Sequence, residues 1–418
     1  MSMRRNLPSG LRSCPMAASP LERVPVPPGS EGAARLLQAL AEALTGSGPA
    51  IAPVPTVSAT VSNDYVASIL RALHIDAGLP LESPEVALVV ATSGSTGEPR
   101  GVLHSAATLT ALDGAVHARG ARPQWVLALP VTSMGGINVL VRSLAAGRDP
   151  IVVPSIGGAG PFTPQAFAAA VESARRRHDD VRVSLVPAQV TRLLSDEAGT
   201  RALLGCSQIL VGGASLRPSL RDVATSLGVR LISTYGATET AGGCVFDGVP
   251  LPGVSVEVDA QTGTLIVGGP SVALGYRAEP DLTRAAFGPR GFLTSDIGRI
   301  ESDGRVMVIG RADDVVSISG VNVSIGAVDQ VLADHPDIDA AAAVVVTDPR
   351  QEPALHAFVV VRDGARRAPD DARESVEQIL GRAARPLMHQ VDALPHLPNG
   401  KVDRRLLIEW AATGQEDR

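Results

Sequence analysis

A short apolar run that ends in a loop rich in hydroxyl groups and glycine constrains this chain more than any other feature. Val86–Ala91 contains several β-branched residues and predicts a buried strand, and the sequence continues as TSGSTG over Thr92–Gly97. Glycine lets the backbone curl so that successive N–H groups converge on an anion, and the hydroxyl groups add further donors. The run predicts a phosphate-binding loop at the end of a strand.

Other phosphate-binding and nucleophile motifs do not fit this loop. Counted from Gly94, Pro99 stands where a Walker A loop needs its second glycine. No G-x-G-x-x-G follows the strand, and no serine lies in G-x-S-x-G. An ordinary surface loop is the alternative, because clusters of serine and glycine are common between elements. Taken alone, the segment does not decide between the two.

Length and composition exclude several classes of protein. A chain of 418 residues is too long for one core, so we expect two or three domains. A net charge of −6 argues against non-specific nucleic-acid binding, and an aromatic content of 3% argues against base-stacking surfaces. Cys14, Cys206 and Cys244 are widely spaced and contain no C-x-x-C pair, which favours neither disulfides nor a zinc site.

The sequence also lacks the patterns of membrane insertion and export. No apolar run approaches the roughly 18 residues that a membrane span requires. The first residues, MSMRRNLPSG, contain arginines but no apolar segment of the kind found in signal peptides. We therefore expect a cytoplasmic enzyme with no membrane span and no nucleic-acid partner.

Strand and helix patterns alternate along most of the chain. Residues 1–30 are rich in Pro, Ser and Gly and predict a disordered tail. From Val86 onward the predicted strands are Val86–Ala91, Trp125–Leu129, Ile151–Val153, Val181–Val186, Gln208–Val211 and Arg230–Ser233. The predicted helices between them are Ala106–Arg119, Asn138–Ala146, Pro164–His178, Gln189–Ser195 and Pro218–Leu227. This alternation favours α/β layers with largely parallel strands.

The pattern changes towards the C-terminus. After Pro250 the segments are β-like, and from about Ala312 a final α+β unit follows, with a predicted helix over Ile325–Asp334. The predicted fold class is α/β. A large N-terminal domain of layered α/β sheets carries a β-rich subdomain, and a small mobile α+β domain follows it.

A polar segment just after a predicted strand contains three candidate ligand-binding residues. In open α/β sheets, ligands bind beyond the carboxyl ends of strands, and TYGATET over Thr234–Thr240 occupies such a position. Tyr235 offers a flat face for a base, Thr238 a hydroxyl, and Glu239 a hard oxygen ligand for Mg²⁺. A polar turn without a ligand is the alternative.

Three later segments carry charged residues at turns or at a junction. Asp296, in Leu293–Gly298, suits two vicinal ribose hydroxyls, and the alternative is a turn aspartate. Gly310–Asp314 leads towards Ser319–Val323 at the junction with the last unit, where a hinge or a solvated linker is expected. Lys401 stands on the tight turn PNGKVD, and a surface lysine is the alternative there.

The five segments, taken in order, resemble the acyl-adenylating superfamily of acyl-CoA synthetases, adenylation domains and luciferases. They are TSGSTGEPRG, TYGATET, TSDIG, GRADDVVSISG and PNGKVDR, and they extend over residues from about 85 to 405. The resemblance implies an N-terminal adenylation domain over 31–310, a hinge at 311–314 and a C-terminal lid domain over 315–418. It also implies two steps. A carboxylate attacks the α-phosphorus of ATP to give acyl-AMP and pyrophosphate, and a thiol, usually coenzyme A, then displaces AMP.

The resemblance further implies a role for each matching residue. The β- and γ-phosphates would be held by Thr92, Ser93, Ser95, Thr96 and Gly97, and the adenine site would be lined by Gly213, Ala214 and Tyr235. Thr238 would contact the α-phosphate, Glu239 would hold Mg²⁺, and Asp296 and Arg311 would bind the ribose. Asp313 matches the hinge, Gly320 matches the loop facing the thiol tunnel, and Lys401 matches the lysine that bridges the attacking carboxylate and the α-phosphate.

Two departures from the family pattern bear on the nucleotide loop and the acyl pocket. Arg100 stands where the family usually has lysine, and Glu98 stands where a cation is frequent; arginine keeps the charge. The segment 129–136 resembles the substrate-pocket segment, but its common histidine is replaced by Thr132 or Ser133. The identity of the acid is therefore less constrained than the reaction type.

Among the subfamilies, the chain looks most like o-succinylbenzoate–CoA ligase of menaquinone biosynthesis. This similarity lies in the compact length and in the runs at 139–147 and 184–194. That substrate is an aromatic dicarboxylate, so a cation is expected in the pocket. Arg217 and Arg230 are the candidates, and exposed surface arginines are the alternative.

Two other functions stay open. One is a stand-alone adenylation enzyme that loads an aryl acid onto a carrier protein; no Asp occurs in 129–136 to pair with the ammonium group of an amino acid. The other is an inactive member that serves as a binding protein, which the presence of Lys401 and Glu239 disfavours. The sequence is compatible with a homodimer and does not fix the oligomeric state.

Overall fold

Apolar residues at strand and helix spacing build the layers of the molecule. The structure is a computed structural model that describes residues 21–92, 99–116, 121–318, 320–346, 353–362, 364–365, 367–396 and 402–413, with only the backbone of Asp313. Within these ranges no helix is both long and apolar enough to cross a membrane.

The N-terminal half contains two runs of strands and helices. The first run consists of β1 (Glu22–Val26), α1 (Ser30–Thr45), β2 (Ile51–Pro55), α2 (Asn63–Leu73), β3 (Val86–Ala91), β4 (Gly101–Ser105), α3 (Ala106–Thr110) and α4 (Asp113–Val116). The second run consists of β5 (Gln124–Leu127), α5 (Met134–Ala146), β6 (Ile151–Val152), α6 (Pro164–Arg175), β7 (Val181–Leu185), α7 (Pro187–Leu194), α8 (Glu197–Leu204), β8 (Gln208–Val211), α9 (Pro218–Ser226) and β9 (Leu231–Ala237). In α1 the buried face is apolar, with Leu36 and Leu40 fully buried one turn apart, whereas α5 is buried on almost all sides.

Strands dominate the next part, and an α+β unit follows. After a 3₁₀ turn at Thr238–Thr240 come β10 (Gly242–Phe246), β11 (Val249–Pro250), β12 (Ser255–Val258), β13 (Thr264–Gly268), β14 (Gly275–Tyr276), α10 (Pro280–Ala286), β15 (Phe287–Gly288), β16 (Gly291–Ile300) and β17 (Val306–Arg311). The last unit consists of β18 (Val315–Ile318), β19 (Val321–Ser324), α11 (Ile325–Asp334), β20 (Ile338–Val346), β21 (Ala354–Val361), α12 (Ala368–Leu380), β22 (Leu387–Gln390) and α13 (Arg404–Thr413).

Three sheets form the large unit, residues 21–311. The first has the order β1-β2-β3-β4-β14, with β4 antiparallel to both of its neighbours. The second has the order β11-β10-β9-β8-β7-β5-β6, and its strands from β9 to β6 all run parallel. The third is antiparallel, in the order β12-β13-β16-β15 with β17 on β16. The carboxyl ends of β5, β7, β8 and β9 therefore meet at one edge of the second sheet.

The small unit, residues 315–413, has a core of its own. The helices α11 and α12 cover a sheet of order β20-β21-β22, with Val328, Leu332 and Val376 fully buried between them. The buried clusters of this unit contain no residue of the large unit among the residues that the structure describes. The predicted organisation, layered α/β sheets with a β-rich part and a small α+β domain, is confirmed.

The predicted disordered tail of residues 1–30 is wrong over its second part. Glu22–Val26 is β1, which pairs in parallel with β2, and α1 begins at Ser30. Val24 and Val26 are buried two residues apart, the spacing of one strand face. Pro25 obscures this strand in the sequence, but a strand at the edge of a sheet tolerates proline. Residues 1–20 lie outside the described part.

The predicted helix Ala106–Arg119 is also wrong as a single element. The structure ends α3 at Thr110 and begins α4 at Asp113, and residues 117–119 lie outside the described ranges. The Thr110 hydroxyl donates to the Ala106 carbonyl at 2.9 Å, so it bonds back to the helix backbone. Gly114 is a poor helix former. The break falls at Ala111 and Leu112, directly after the back-bonded Thr110, and Gly114 lies within the short α4 that follows.

A buried arginine attaches β14 to the segment before β3. The Arg277 side chain is only 1% exposed and contacts Glu82, with Nη1 to Oε1 at 3.0 Å. Its guanidinium also donates to the carbonyls of Pro80, at 2.6 Å, and Leu79, at 2.8 Å. Four acceptors on one loop fix the residue that follows Tyr276.

We expect Arg277→Met to lower the free energy of unfolding of the large unit by about 3 kcal/mol, because it leaves two carbonyls without their donor and leaves Glu82 with only the Ala278 amide. The measurement is urea denaturation followed by Trp125 fluorescence in a Trp410→Phe background, so that the signal reports the large unit. Arg284→Ala, which removes an exposed ion pair with Asp281, is the control and should change the value by less than about 1 kcal/mol. Equal effects of both variants would contradict the structural role of Arg277.

Candidate active site

Residues that follow β8 and β9 gather at the carboxyl edge of the second sheet. These strands pair as far as Val211 opposite Ser233, and Gly213 and Tyr235 each lie two residues beyond that last pair. Gly213 has a φ of +80°, a conformation that favours glycine, and both it and Ala214 are exposed. Gly213 and Ala214 therefore follow β8 at the sheet edge where Tyr235 lies in β9, and neither carries a bulky side chain.

A hydrogen bond and an ion pair join Tyr235, Asp296 and Arg311 across two sheets. The Tyr235 hydroxyl donates to Asp296 Oδ2 at 2.7 Å, and Arg311 Nη1 lies 3.6 Å from Asp296 Oδ1. Asp296 and Arg311 face each other on the paired strands β16 and β17. Burial and the neighbouring Asp296 charge raise the pKa of Tyr235, which keeps its hydroxyl protonated as a donor. The arrangement places a partly buried carboxylate and a cation beside the Tyr235 ring.

Glu239 lies in the 3₁₀ turn after β9 and is held by a tyrosine from another sheet. The Tyr276 hydroxyl donates to Glu239 Oε1 at 3.0 Å, and the Ala273 amide donates to the Glu239 carbonyl at 2.8 Å. Burial raises the pKa of the Glu239 carboxyl, against the opposing effects of the Tyr276 hydrogen bond and the charges of Arg100 and Arg311. A positive ion beside this carboxylate would favour its charged form.

The donor set around Glu239 fits magnesium bound to a nucleotide. Mg²⁺ is held in such sites by one or two carboxylates together with substrate phosphates and water. In the described part of the chain no three His, Cys, Asp or Glu side chains form a metal cage. A single half-buried carboxylate with a neighbouring hydroxyl donor is compatible with a metal that arrives with its phosphates.

The two ends of the predicted phosphate loop are joined by hydrogen bonds. The Thr92 amide donates to the Arg100 carbonyl at 2.8 Å, and the Arg100 amide donates to Thr92 Oγ1 at 3.0 Å. The Arg100 guanidinium lies over the Tyr276 ring, 5.9 Å from its centre. Five predicted residues lie outside the described ranges: Ser93, Ser95, Thr96, Gly97 and Lys401.

The substrate-pocket segment lies at the same sheet edge, after β5. Ser133 caps α5 and its hydroxyl donates to the Pro130 carbonyl at 2.7 Å. Thr132 lines a cavity of about 20 Å³ together with Val26 and Ile156. That volume admits a water molecule and is too small for an aryl acid. Neither hydroxyl is therefore seen lining a formed acyl pocket.

The two arginines predicted to bind a second carboxylate lie elsewhere. Arg230 is exposed and precedes β9, so it lies at the amino end of the strand whose carboxyl end carries Tyr235. Arg217 precedes α9, and its guanidinium donates to the Ala333 carbonyl of α11. The structure thus does not bring Arg230 to the site, and it engages Arg217 with the small unit.

The predicted hinge and thiol-tunnel residues follow β17. Asp313 lies in a 3₁₀ turn, Ala312–Asp314, between β17 and β18, and its side chain is outside the described part. Gly320 joins β18 to β19 with a φ of +78°, in open space. Their functional assignments stay predictions.

Sequence analysis does not single out Tyr276, although its hydroxyl contacts the predicted metal ligand. The chain has three tyrosines, and two of them, Tyr235 and Tyr276, bond to acidic residues of the site. The scarcity of aromatic residues could have drawn attention to Tyr276. Its partner Glu239 could not be identified without the pairing of β4 with β14.

Comparison with known proteins gives the family. The model of the family described as AMP-binding enzyme matches residues 48–277, and that of the AMP-binding enzyme C-terminal domain matches residues 327–401. A Mycobacterium tuberculosis protein named "Probable 2-succinylbenzoate–CoA ligase" is 38% identical over 402 residues, which cover 94% of this chain and 99% of that protein. The 2-succinylbenzoate–CoA ligase of Geobacillus kaustophilus is 29% identical over 360 residues, covering 77% of this chain and 69% of the relative.

A solved structure supports the same fold. The o-succinylbenzoate CoA synthetase of Bacillus subtilis, solved with its acyl-adenylate intermediate, aligns with a TM-score of 0.70 at 19% identity, covering 93% of this chain and 88% of that one. The resemblance inferred from the five sequence segments is confirmed. The chain belongs to the AMP-binding enzyme family and is an adenylate-forming ligase.

Proposed function

We propose that this protein activates o-succinylbenzoate with ATP and transfers the acyl group to coenzyme A. The observation that carries the proposal is the 38% identity to a relative named as a 2-succinylbenzoate–CoA ligase, because the match spans nearly the whole of both chains. A second relative with the same activity in its name, at 29% identity, supports it. In this proposal the reaction takes place in the cytoplasm.

The contacts of the large unit suit the binding of ATP. The Tyr235 ring would lie against the adenine, with Gly213 allowing close approach of the base. Asp296 would accept hydrogen bonds from the ribose hydroxyls, and the contacts with the Tyr235 hydroxyl and Arg311 orient its carboxylate. Thr92 would begin the loop that contacts the leaving phosphates.

Glu239 would hold magnesium, which neutralises charge on the phosphates when bound. The Tyr276 hydroxyl donates to one carboxylate oxygen of Glu239, which would leave the other oxygen available for the metal. Thr238 would donate its hydroxyl to the α-phosphate, where negative charge increases as the carboxylate of the acid attacks. Lys401 would bridge that carboxylate and the α-phosphate as a point charge.

The second step would bring the thiol of coenzyme A to the acyl-adenylate. Gly320, with open space where a Cβ would be, suits the loop that faces the pantetheine arm. Asp313, in the short turn between the units, is placed where a hinge would act.

The acid specificity is tested by pyrophosphate exchange into ATP with a panel of acids. We expect o-succinylbenzoate to support exchange at least about tenfold better, in kcat/KM, than benzoate, salicylate or malonate, because pocket contacts discriminate acids by 1–3 kcal/mol or more. Exchange only with other acids would contradict the substrate assignment while leaving the reaction class intact.

The same assay extended to the acceptor separates the proposal from the carrier-protein alternative. Coenzyme A should release AMP and a thioester from the preformed adenylate. Transfer only to a phosphopantetheinylated carrier protein would favour the alternative.

We expect Tyr276→Phe to raise the Mg²⁺ concentration for half-maximal exchange by about tenfold, since it removes a hydrogen bond to a charged group. The KM for the acid should stay unchanged, because the hydroxyl contacts Glu239. Titration of exchange with Mg²⁺ measures the effect. Tyr65→Phe, on α2 and outside the site, is the matched control. An unchanged Mg²⁺ dependence would remove Glu239 from the metal site.

We expect Lys401→Ala to slow adenylate formation by at least about tenfold, because one charge-assisted bond contributes on the order of 1.5–3 kcal/mol. Thioester formation from supplied acyl-AMP should change little, since that step begins after the α-phosphate has been attacked. The two half-reactions are measured separately by stopped assays. Arg405→Ala, a highly exposed cation on α13, controls for loss of charge in the same region. Equal loss of both half-reactions would contradict the role of Lys401.

A further inference from the structure

A buried histidine joins β4 to the turn that carries Thr238 and Glu239. His104 is fully buried, with Nε2 2.9 Å from the Thr238 carbonyl oxygen and Nδ1 3.2 Å from Thr108 Oγ1. A carbonyl oxygen only accepts, so Nε2 carries a proton and donates it to Thr238. The ring therefore connects two parts of the chain that are 134 residues apart.

The surroundings of His104 keep this bond formed. Burial lowers the pKa of His104 to about 4, so the ring is neutral near pH 7. With its proton on Nε2, Nδ1 can only accept, and its donor is the Thr108 hydroxyl, which shares its proton with the Ser105 carbonyl at 3.0 Å. Thr108 in turn belongs to the capping box of α3.

The turn after β9 depends on hydrogen bonds from other parts of the chain to hold its backbone conformation. Ala241, which ends the turn, has a φ of +53°, a left-handed conformation that alanine rarely adopts. Its carbonyl accepts from Asn138 Nδ2 at 2.8 Å, and the Glu239 carbonyl accepts from the Ala273 amide. Tertiary hydrogen bonds thus impose the backbone path of this turn, and His104 supplies the one at Thr238.

The strand that carries His104 also places the other support of Glu239. Strands β4 and β14 pair with Val102 opposite Tyr276, and Tyr276 bonds to the Glu239 carboxylate. His104 therefore holds the backbone of the turn from the same pair of strands that holds its acidic side chain.

We propose that His104 is a positioning residue for adenylate formation, whose ring fixes the Thr238 carbonyl so that the Thr238 hydroxyl and the Glu239 carboxylate face the α-phosphate and its metal. The inference rests on the proposed function, because it assigns a role within that reaction. His104 acts through Thr238 and touches no substrate.

The test compares variants whose side chains at position 104 differ in length and in hydrogen-bonding groups. Leucine at 104 removes both hydrogen bonds, asparagine keeps a polar group near Thr108 but is too short for Thr238, and glutamine places an amide donor near the position of Nε2. Both half-reactions are measured for His104→Leu, His104→Asn and His104→Gln: pyrophosphate exchange, and thioester formation from supplied acyl-AMP. Leu103→Ala, a buried change on the same strand that leaves the histidine in place, is the control for loss of packing.

We expect His104→Leu and His104→Asn to lower the kcat of exchange by about tenfold, since the Thr238 carbonyl loses its tertiary donor and keeps only the local Ala241 amide at 3.1 Å, while the KM for the acid stays unchanged. Thioester formation should stay within about twofold, and His104→Gln should restore exchange to within about threefold of the unsubstituted protein. Leu103→Ala should lower the melting temperature and leave the ratio of the two half-reactions unchanged.

Two results would overturn the inference. One is an equal loss of both half-reactions in His104→Leu and His104→Asn, and the other is a failure of glutamine to restore exchange. If the leucine variant does not fold, the asparagine and glutamine pair decides the question. Absence of exchange in the unsubstituted protein with every acid would instead contradict the proposed function.

Discussion

A carboxylate that is partly removed from water needs hydrogen-bond donors. The candidate site of this protein is organised around the groups that supply these donors to Glu239. The Tyr276 hydroxyl donates to its side chain, and the Ala273 amide donates to its backbone carbonyl. Tyr276 lies in β14, and Ala273 lies in the segment that leads into β14. Both donors are held in place because β14 pairs with β4 and because the Arg277 guanidinium donates to carbonyls of the loop before β3. The first sheet thus determines the geometry of a group that belongs, by sequence, to the second.

The contacts of Tyr235 and Asp296 show the same principle with a different pair of sheets. Tyr235 ends a parallel strand of the second sheet, whereas Asp296 belongs to the antiparallel third sheet. Their 2.7 Å hydrogen bond crosses between the two, and Arg311 balances the carboxylate from the neighbouring strand. The polar groups of the candidate site therefore come from different sheets, which makes the site sensitive to how the layers pack.

Several strands and helices, and several residues of the candidate site, could be predicted from the sequence. The apolar runs of β3 and β8 and the spacing of α11 gave correct bounds because burial on one face or two dictates their pattern. Strand β4 was not predicted, since its last two residues, His104 and Ser105, are polar yet buried. The family motifs named Tyr235, Asp296 and Arg311, but no local pattern could show that Tyr276 and His104 support the turn at Glu239, because those contacts depend on strand pairing over long sequence separation. The prediction that Arg230 binds the substrate considered only its charge. The direction of β9 places Arg230 at the amino end of that strand, away from Tyr235.

The contact between Arg217 and the Ala333 carbonyl has a consequence for how the two units hold together. Ala333 lies in the last turn of α11, where backbone carbonyls lack partners within the helix. Water can satisfy such a carbonyl as well as a guanidinium can, so separation of these groups leaves no buried polar atom without a partner. Breaking the hydrogen bond between Arg217 and Ala333 therefore costs little free energy. A change in the angle between the units would replace the guanidinium donor at the Ala333 carbonyl with a water molecule.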